Sequence, residues 1–289
     1  MATISEPAVA TPAAKGRQRR RIDWGLIVSL VWVVGLAIAA FAAPYLGLSD
    51  PSEGDLLDML AMPSADHWLG TDSLGRDTFT RLIYGAQVSL TVALGGVGIG
   101  LACGGTLGLL AGYFGGWLDR IIMGAMTVLL CFPALILAIA LISSLGPSVG
   151  NVTFAIGVIF IPAFARIARA NKLSLRSREF VLAAKALGAR LPRILIREIL
   201  PNLMPALLSY AVVMLGVAIL AEAALGFLGL SVRPPQPSWG GMIAGERGNL
   251  AEAPYAVFIP AFMMFITVLA INWLGEATRR LFDIKAQTL

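Results

Sequence analysis

EFVLAAKALGARLPRILIREILP, Glu179 to Pro201, separates two long apolar runs, Val149–Ala170 and Met204–Leu228. The segment is basic and amphipathic, and its flanks are long enough to cross a bilayer. A helix needs ~20 apolar residues to span a hydrocarbon core ~30 Å thick. Working outward, four more stretches meet or approach that length: Trp24–Leu46, Val88–Phe114, Ile121–Leu145 and Ala256–Leu274. All six are rich in Leu, Ala, Val and Gly and lack the alternation of barrel strands, so they read as helices. With 57% hydrophobic and 13% charged residues in 289, a soluble domain is excluded, because it would need far more charge to cover its surface. The expected fold class is an all-α integral membrane protein with six transmembrane helices. Pro162 interrupts the fourth run, and Arg166 and Arg169 crowd its end, a pattern that kinked helices packed among neighbours tolerate.

Basic residues orient the chain. With both termini inside, 18 of the 22 Lys and Arg fall in inner segments. Only Arg76, Arg81, Arg233 and Arg247 fall outside. That asymmetry fixes the orientation under the positive-inside rule and places the Glu179–Pro201 segment in the cytoplasm. It also accounts for the net charge of +5 without a nucleic acid. Residues 1–22 read as a disordered basic cytoplasmic tail, and residues 23–289 as the membrane domain. Arg17–Arg21 followed by a run ending near Ala40-Phe41-Ala42 also has the outline of a cleavable signal, but the run exceeds the usual ~7–15-residue signal core.

Several chemistries are excluded. The single histidine, His67, has no nearby Cys to share a metal. Cys103 and Cys131 fall inside apolar runs, where core packing is the expected role. A phosphate-binding loop needs Gly immediately before its Lys, and the four lysines follow Ala14, Asn171, Ala184 and Ile284. No cofactor is expected on this chain, and any ATP must be bound by partner subunits.

Within the central segment, Phe180, Ala183, Ala184 and Leu187 fall at i, i+3, i+4 and i+7 of a short helix beginning at Glu179, giving one apolar face. Gly188 permits a turn, Pro192 suits the first turn of a second helix, and Pro201 marks entry to the next span. Arg190, Arg193 and Arg197 are spaced to share a face suited to lipid phosphates or an acidic partner. An ordinary basic helix lying on the membrane would show the same features.

The pattern A-A-x3-G-x11-L-P, here Ala183-Ala184, Gly188 and Leu200-Pro201, resembles the EAA loop of ABC importer permeases. Further strings resemble the second permease subunit of dipeptide, oligopeptide and nickel importers: HWLGTDSLGRD (67–77), RLIYGA (81–86), AGYFGGWLDR (111–120), EAALGFLGL (222–230) and PPQPSWG (234–240). The resemblance covers roughly residues 65–285. It implies a type I permease fold with a core over about 84–276, a multi-pass location in the bacterial cytoplasmic membrane, and a coupling loop over 172–203. It also implies partners: a sister permease, two ATPase subunits and an extracytoplasmic peptide-binding protein. Two positions depart from the pattern. Leu182 replaces the acidic residue that names the loop, and Glu198 stands where Ile is usual. Glu222-Ala223-Ala224 does not qualify, since Leu228 occupies the glycine offset.

Glu222 lies deep in a run, where a carboxylate must face protein or water. It is a candidate for the outer mouth of a translocation path, with a hydrogen bond to a neighbouring helix or loop as the alternative. The outer segments, 47–84 and 229–255, carry Asp50, Glu53, Asp55, Asp58, Asp66, Asp72 and Asp77, and a Pro234–Pro237 turn followed by Trp239 as an expected interfacial aromatic. The resemblance makes them a platform for the binding protein. The glycines between Gly95 and Gly108 are expected to let helices pack closely. Two other classes would fit a hydrophobic chain. A secondary transporter should show inverted repeats and a buried ion site, and a membrane scaffold needs no path.

Overall fold

A computed structural model describes residues 24–175 and 178–286. The tail expected over 1–22 lies outside the described residues. Helix α1 covers Trp24–Ala42 and α2 Thr78–Phe114. Then come α3 (Gly116–Cys131), α4 (Ala134–Leu145), α5 (Val149–Leu175), α6 (Glu179–Ala186), α7 (Ile194–Phe227), α8 (Trp239–Glu246) and α9 (Pro254–Ala286). Among the described residues, five helices are long and apolar enough to span a membrane: α1, α2, α5, α7 and α9.

The third expected span differs from a straight rod. It is broken into α3 and α4 with an 89° bend. Phe132 is extended and Pro133 sits at the cap of α4. Proline lacks the N–H that would continue α3, and the residue before it avoids helical geometry. The pair makes a sixth span if it crosses as one unit. Pro162 does not have this effect: α5 runs unbroken through it for 27 residues, and Pro162 is buried among its neighbours. The second span begins earlier than hydropathy indicates, because Asp77 caps α2 by accepting the Thr80 N–H at 2.8 Å.

The core lies where α2, α5 and α7 meet, with Phe160, Phe164, Leu203, Leu207 and Ile219 buried in it. Lipid is as apolar as leucine, so helices associate through close contact more than through a hydrophobic drive. The α2–α5 seam shows how. A Cβ placed on Gly100 would stand 2.7 Å from the Phe160 Cβ, on Gly104 2.4 Å from the Ile161 carbonyl oxygen, and on Gly108 2.1 Å from that of Ala165. These glycines, four residues apart, bring backbone against backbone. A π turn at Gly100–Gly104 re-aims the stripe where it passes Phe164. Gly98 instead faces open space.

Two expectations change. Cys103 and Cys131 are both exposed on helix surfaces and are not in the core, a position a thiol tolerates because it behaves as a small apolar group. Trp239 is fully buried, not interfacial, and its indole N–H donates to the Leu82 carbonyl at 3.1 Å. Helix α8 thereby wedges among α2, α7 and α9 at their outer ends. On the opposite flank, α1 packs on α9, with the Trp32 indole donating to Thr267 Oγ1 at 3.2 Å.

Candidate functional site

The inner end of the bundle carries the α6 segment. Val181 is buried with Ile194 and Ile199, against partly buried Leu109, Tyr113, Leu175, Ala184, Ala189 and Leu195. That small cluster fixes which side of α6 faces the protein. The four-residue apolar face read from the sequence is divided by it: Ala184 is half-buried, whereas Phe180, Ala183 and Leu187 point away. Phe180 is 37% exposed and Leu187 87%. Covering a leucine fully is worth ~1.5–3 kcal/mol, so a surface of this kind gains from a partner.

Gly188 has φ +75° and no atom within 4 Å of where its Cβ would stand. The Ala189 N–H reaches back to the Ala184 carbonyl at 3.0 Å, closing the helix with a left-handed cap. Glycine is required here by backbone conformation, not by space. The chain then turns, with the Arg193 and Ile194 N–H groups donating to the Arg190 carbonyl. Arg190, Arg193 and Arg197 are all exposed. Pro201 stands in the first turn of the α-helical stretch Leu200–Phe227, at the entry to the span as expected. A π turn at Ile194–Ile199 precedes it, and the Leu200 N–H bonds five residues back to Leu195. The wider turn absorbs the donor that Pro201 lacks and its ring's clash with the preceding turn. Leu200 is half-buried, and Pro201 is exposed. Leu182, where the resemblance expects an acidic residue, is 51% exposed, so the departure alters the outward surface and leaves the inner packing intact. Glu179, exposed in the first turn of α6, suits the positive end of that helix.

Two cations that sequence reasoning counted only as charge brace this end. Arg169 on α5 grips Asp119 on α3 through Nε (2.5 Å) and Nη2 (2.6 Å). Lys172 is buried, donates from Nζ to the Gly112 carbonyl, and lies 4.8 Å from the centre of the Tyr113 ring. Gly112, Tyr113 and Asp119 all belong to the AGYFGGWLDR string, which was the available signal.

At the outer end the remaining strings close into one network. Asp72 accepts from the Leu74 and Arg76 backbone and from Arg76 Nε at 2.7 Å, and pairs with Arg81 at 3.2 Å. Arg81 donates to the Pro51 and Pro235 carbonyls. Ser73 donates to Glu246 through its hydroxyl at 2.8 Å, and His67 lies 3.1 Å from Asp77. Glu222 is fully buried. Its carboxylate accepts from Ser89 on α2 at 2.7 Å and from Ser231, just past α7, at 2.6 Å. Among the described residues, no group of three or more His, Cys, Asp or Glu is placed to hold a metal.

Comparison with known proteins bears on both ends. Residues 104–284 match the family described as binding-protein-dependent transport system inner membrane component. The chain is 42% identical over 262 residues to the dipeptide transport system permease protein DppC of Alkalihalophilus pseudofirmus, covering 91% of this chain and 86% of that one. It is 38% identical over 286 residues to the glutathione transport system permease protein GsiD of Pectobacterium atrosepticum, covering 99% and 95%. Among solved structures it resembles a chain of the MetNI methionine ABC transporter in inward-facing form. The TM-score is 0.60 at 19% identity, over 70% of this chain and 96% of that one.

Proposed function

This chain belongs to the binding-protein-dependent transport system inner membrane component family, and from that premise we propose that it forms, with a sister permease, the path by which an ATP-driven importer takes up short peptides. Its role is that of a non-catalytic subunit. ATP is bound and hydrolysed by two partner ATPases, and an extracytoplasmic binding protein delivers the solute to the outer network. The peptide class follows the names of the relatives, whose solutes are a dipeptide and glutathione. A nickel chelate or another small solute is the alternative.

The observation that carries the reading is the outward face of α6. Phe180, Ala183 and Leu187 are held exposed by an inward anchor at Val181 and a left-handed cap at Gly188. That face sits at the basic, inner end of the bundle, where an ATPase would dock. A membrane-surface helix would use the same apolar residues, but it would not need a rigid cap facing open space.

The test is reconstitution. The chain is placed in proteoliposomes with its sister permease, its ATPases and its binding protein, and uptake of labelled dipeptide, glutathione and nickel chelate is measured with and without ATP. Uptake that needs both ATP and the binding protein supports the importer. Uptake by the permeases alone, driven by an ion gradient, would make it a secondary carrier.

A further inference from the structure

Arg166 stands exposed on α5, three residues before the Arg169 that grips Asp119. Its own contact with α3 is slight: Nη2 lies 3.3 Å from Thr127 Oγ1. Thr127 gives its proton to the Met123 carbonyl at 2.8 Å, so toward Arg166 it can only accept. A guanidinium carries five N–H donors, and among the described residues Arg166 has no ion pair. Its head also leans the wrong way for a lipid-facing residue. Arg166 and Arg169 are ~4.5 Å apart along α5, but their contacts on α3, eight residues apart, are separated by ~12 Å. The Arg166 head therefore reaches toward the bilayer centre, whereas an arginine facing lipid extends toward the interface. Cations inside a membrane face the bundle interior or a water-filled space.

The end of α3 adds a second feature that lipid rejects. The helix stops at Cys131, one turn past Thr127, and α4 leaves it at 89°. Counted from Ile121, the first apolar residue after Arg120, Cys131 lies ~15 Å into a hydrocarbon core of ~30 Å. The Leu129 carbonyl is due its bond from position 133, a proline without an N–H. Those of Leu130 and Cys131 are due theirs from Ala134 and Leu135, which have turned away with α4. No backbone bond outside the helical ladders reaches any of the three. The stretch from Leu130 to Ile136 is exposed throughout, so this subunit does not cover it. Interrupted backbone at membrane depth is tolerated only where protein or water covers it. The surface of α9 supplies the contrast, with Phe258, Phe262, Phe265 and Trp273 exposed along a continuous apolar helix.

We propose that Arg166 and the carbonyl end of α3 form a recognition site for a zwitterion, the guanidinium taking the carboxylate of a short peptide and the carbonyls of Leu129, Leu130 and Cys131 its ammonium. The proposal rests on the importer reading and adds to it a solute preference set inside the membrane by this chain. The charges are complementary. A guanidinium pairs with a carboxylate through two parallel bonds, and a helix C-terminus carries about half a negative charge. The spacing agrees as well. Thr127 and Cys131 are ~6 Å apart along α3, and a fully extended dipeptide at ~3.3–3.6 Å per residue holds its two charges ~7 Å apart. A peptide lacking either charge, or several residues longer, meets only half of the site. The sister permease of the importer reading would close its open side.

The experiment uses the assembled importer in proteoliposomes, with labelled dialanine and its C-terminal amide each supplied at equal occupancy of the binding protein. The parent should import the free acid at least tenfold faster than the amide. Arg166→Gln should bring the two rates within about twofold of each other, and Arg166→Lys, a point charge, should restore part of the difference. Thr127→Val keeps the cation and removes the acceptor that aims it, so it reports on the same ratio if the Arg166 variants fail to assemble. Cys131 gives a second readout in a Cys103→Ser background, through its modification by a membrane-impermeant thiosulfonate followed by mass spectrometry. Dialanine should slow that reaction several-fold, the amide should not, and Arg166→Gln should lose the protection. A parent that imports acid and amide equally, or an Arg166→Gln variant that keeps both the ratio and the protection, overturns the proposal and leaves the importer reading standing. A defect in Arg166→Gln confined to vesicles containing phosphatidylglycerol also overturns it, because the guanidinium then serves a lipid phosphate. A complex with no uptake dependent on the binding protein overturns both.

Discussion

Gly188 offers a direct test of the proposed coupling segment, because its two possible roles predict different orders of damage. Its φ of +75° is a left-handed conformation, and the space beyond its absent Cβ is empty. A side chain there clashes with nothing in this subunit, so the expected cost is that of the backbone alone, ~1–2 kcal/mol for an ordinary L-residue. At ~1.4 kcal/mol per tenfold, that reduces the capped population ~5–30-fold. The bonds lost would be those from Ala189 to Ala184 and from Leu187 to Ala183. Asn, which visits this region more readily, should lose least, Ala more, and Val, stiff at its Cβ, most. The assay is ATP hydrolysed per peptide imported in proteoliposomes, together with ATPase retention on purification of the tagged permease. Coupling should fall in the order Gly188→Asn, Gly188→Ala, Gly188→Val. Equal loss in the Asn and Val variants would show that side-chain bulk against a partner decides the outcome and the cap does not. Three variants indistinguishable from the parent would remove the segment from the coupling mechanism.

Other perturbations separate roles in the same way. Gly104→Leu should abolish a stable α2–α5 seam, since even its Cβ would lie 2.4 Å from the Ile161 carbonyl, whereas Gly98→Ala should be silent; thermal unfolding in detergent compares them. Glu222→Gln replaces one acceptor oxygen with a donor facing two serine hydroxyls, and should cost ~1–3 kcal/mol of stability with substrate preference unchanged. A changed preference at unaltered melting temperature would instead favour a place in the path. Asp119→Ala leaves Arg169 without its bidentate partner, and the partly exposed site limits the loss to ~1 kcal/mol; exchanging the pair, Asp119→Arg with Arg169→Asp, should recover most of it. Asp72→Asn should weaken binding-protein-stimulated ATPase activity more than basal activity, because Asp72 organises the outer loop through Arg76 and Arg81.

The spans were legible in the sequence because apolar length is a property of the chain alone. Their ends were less so. Asp77 extends α2 outward by capping it, and Ile194–Ile199 extends α7 inward through a π turn that hydropathy does not register. The break at Pro133 had a visible signal, a proline inside an apolar run, yet Pro162 shows that the same signal can leave a helix intact. Neighbours decide between the two outcomes. The apolar face of α6 read from the sequence is divided in the structure, with Ala184 turned toward Val181 and Phe180, Ala183 and Leu187 exposed, because Val181 is paired with Ile194 and Ile199 only by the turn that follows. The clamp of Asp119 by Arg169 joins residues fifty positions apart, and the buried Trp239 depends on a bond to Leu82. Pairings of this range are set by tertiary packing.

The outer network has a mechanical consequence for the inner one. Glu222, held by Ser89 and Ser231, fixes α7 near its outer end, while Leu203 and Leu207 pack in the core and Ile194 in a smaller apolar cluster toward its inner end. At ~1.5 Å per residue, Ile194 lies ~42 Å along the helix from that fixed point and Ser209 ~20 Å. A swing of ~5° about the fixed point therefore carries Ile194 through ~4 Å and Ser209 through ~2 Å. Displacement of α7 in such a swing would be graded by distance from the pivot, greatest at its inner end, about half as large at Ser209 and close to nothing at its outer end.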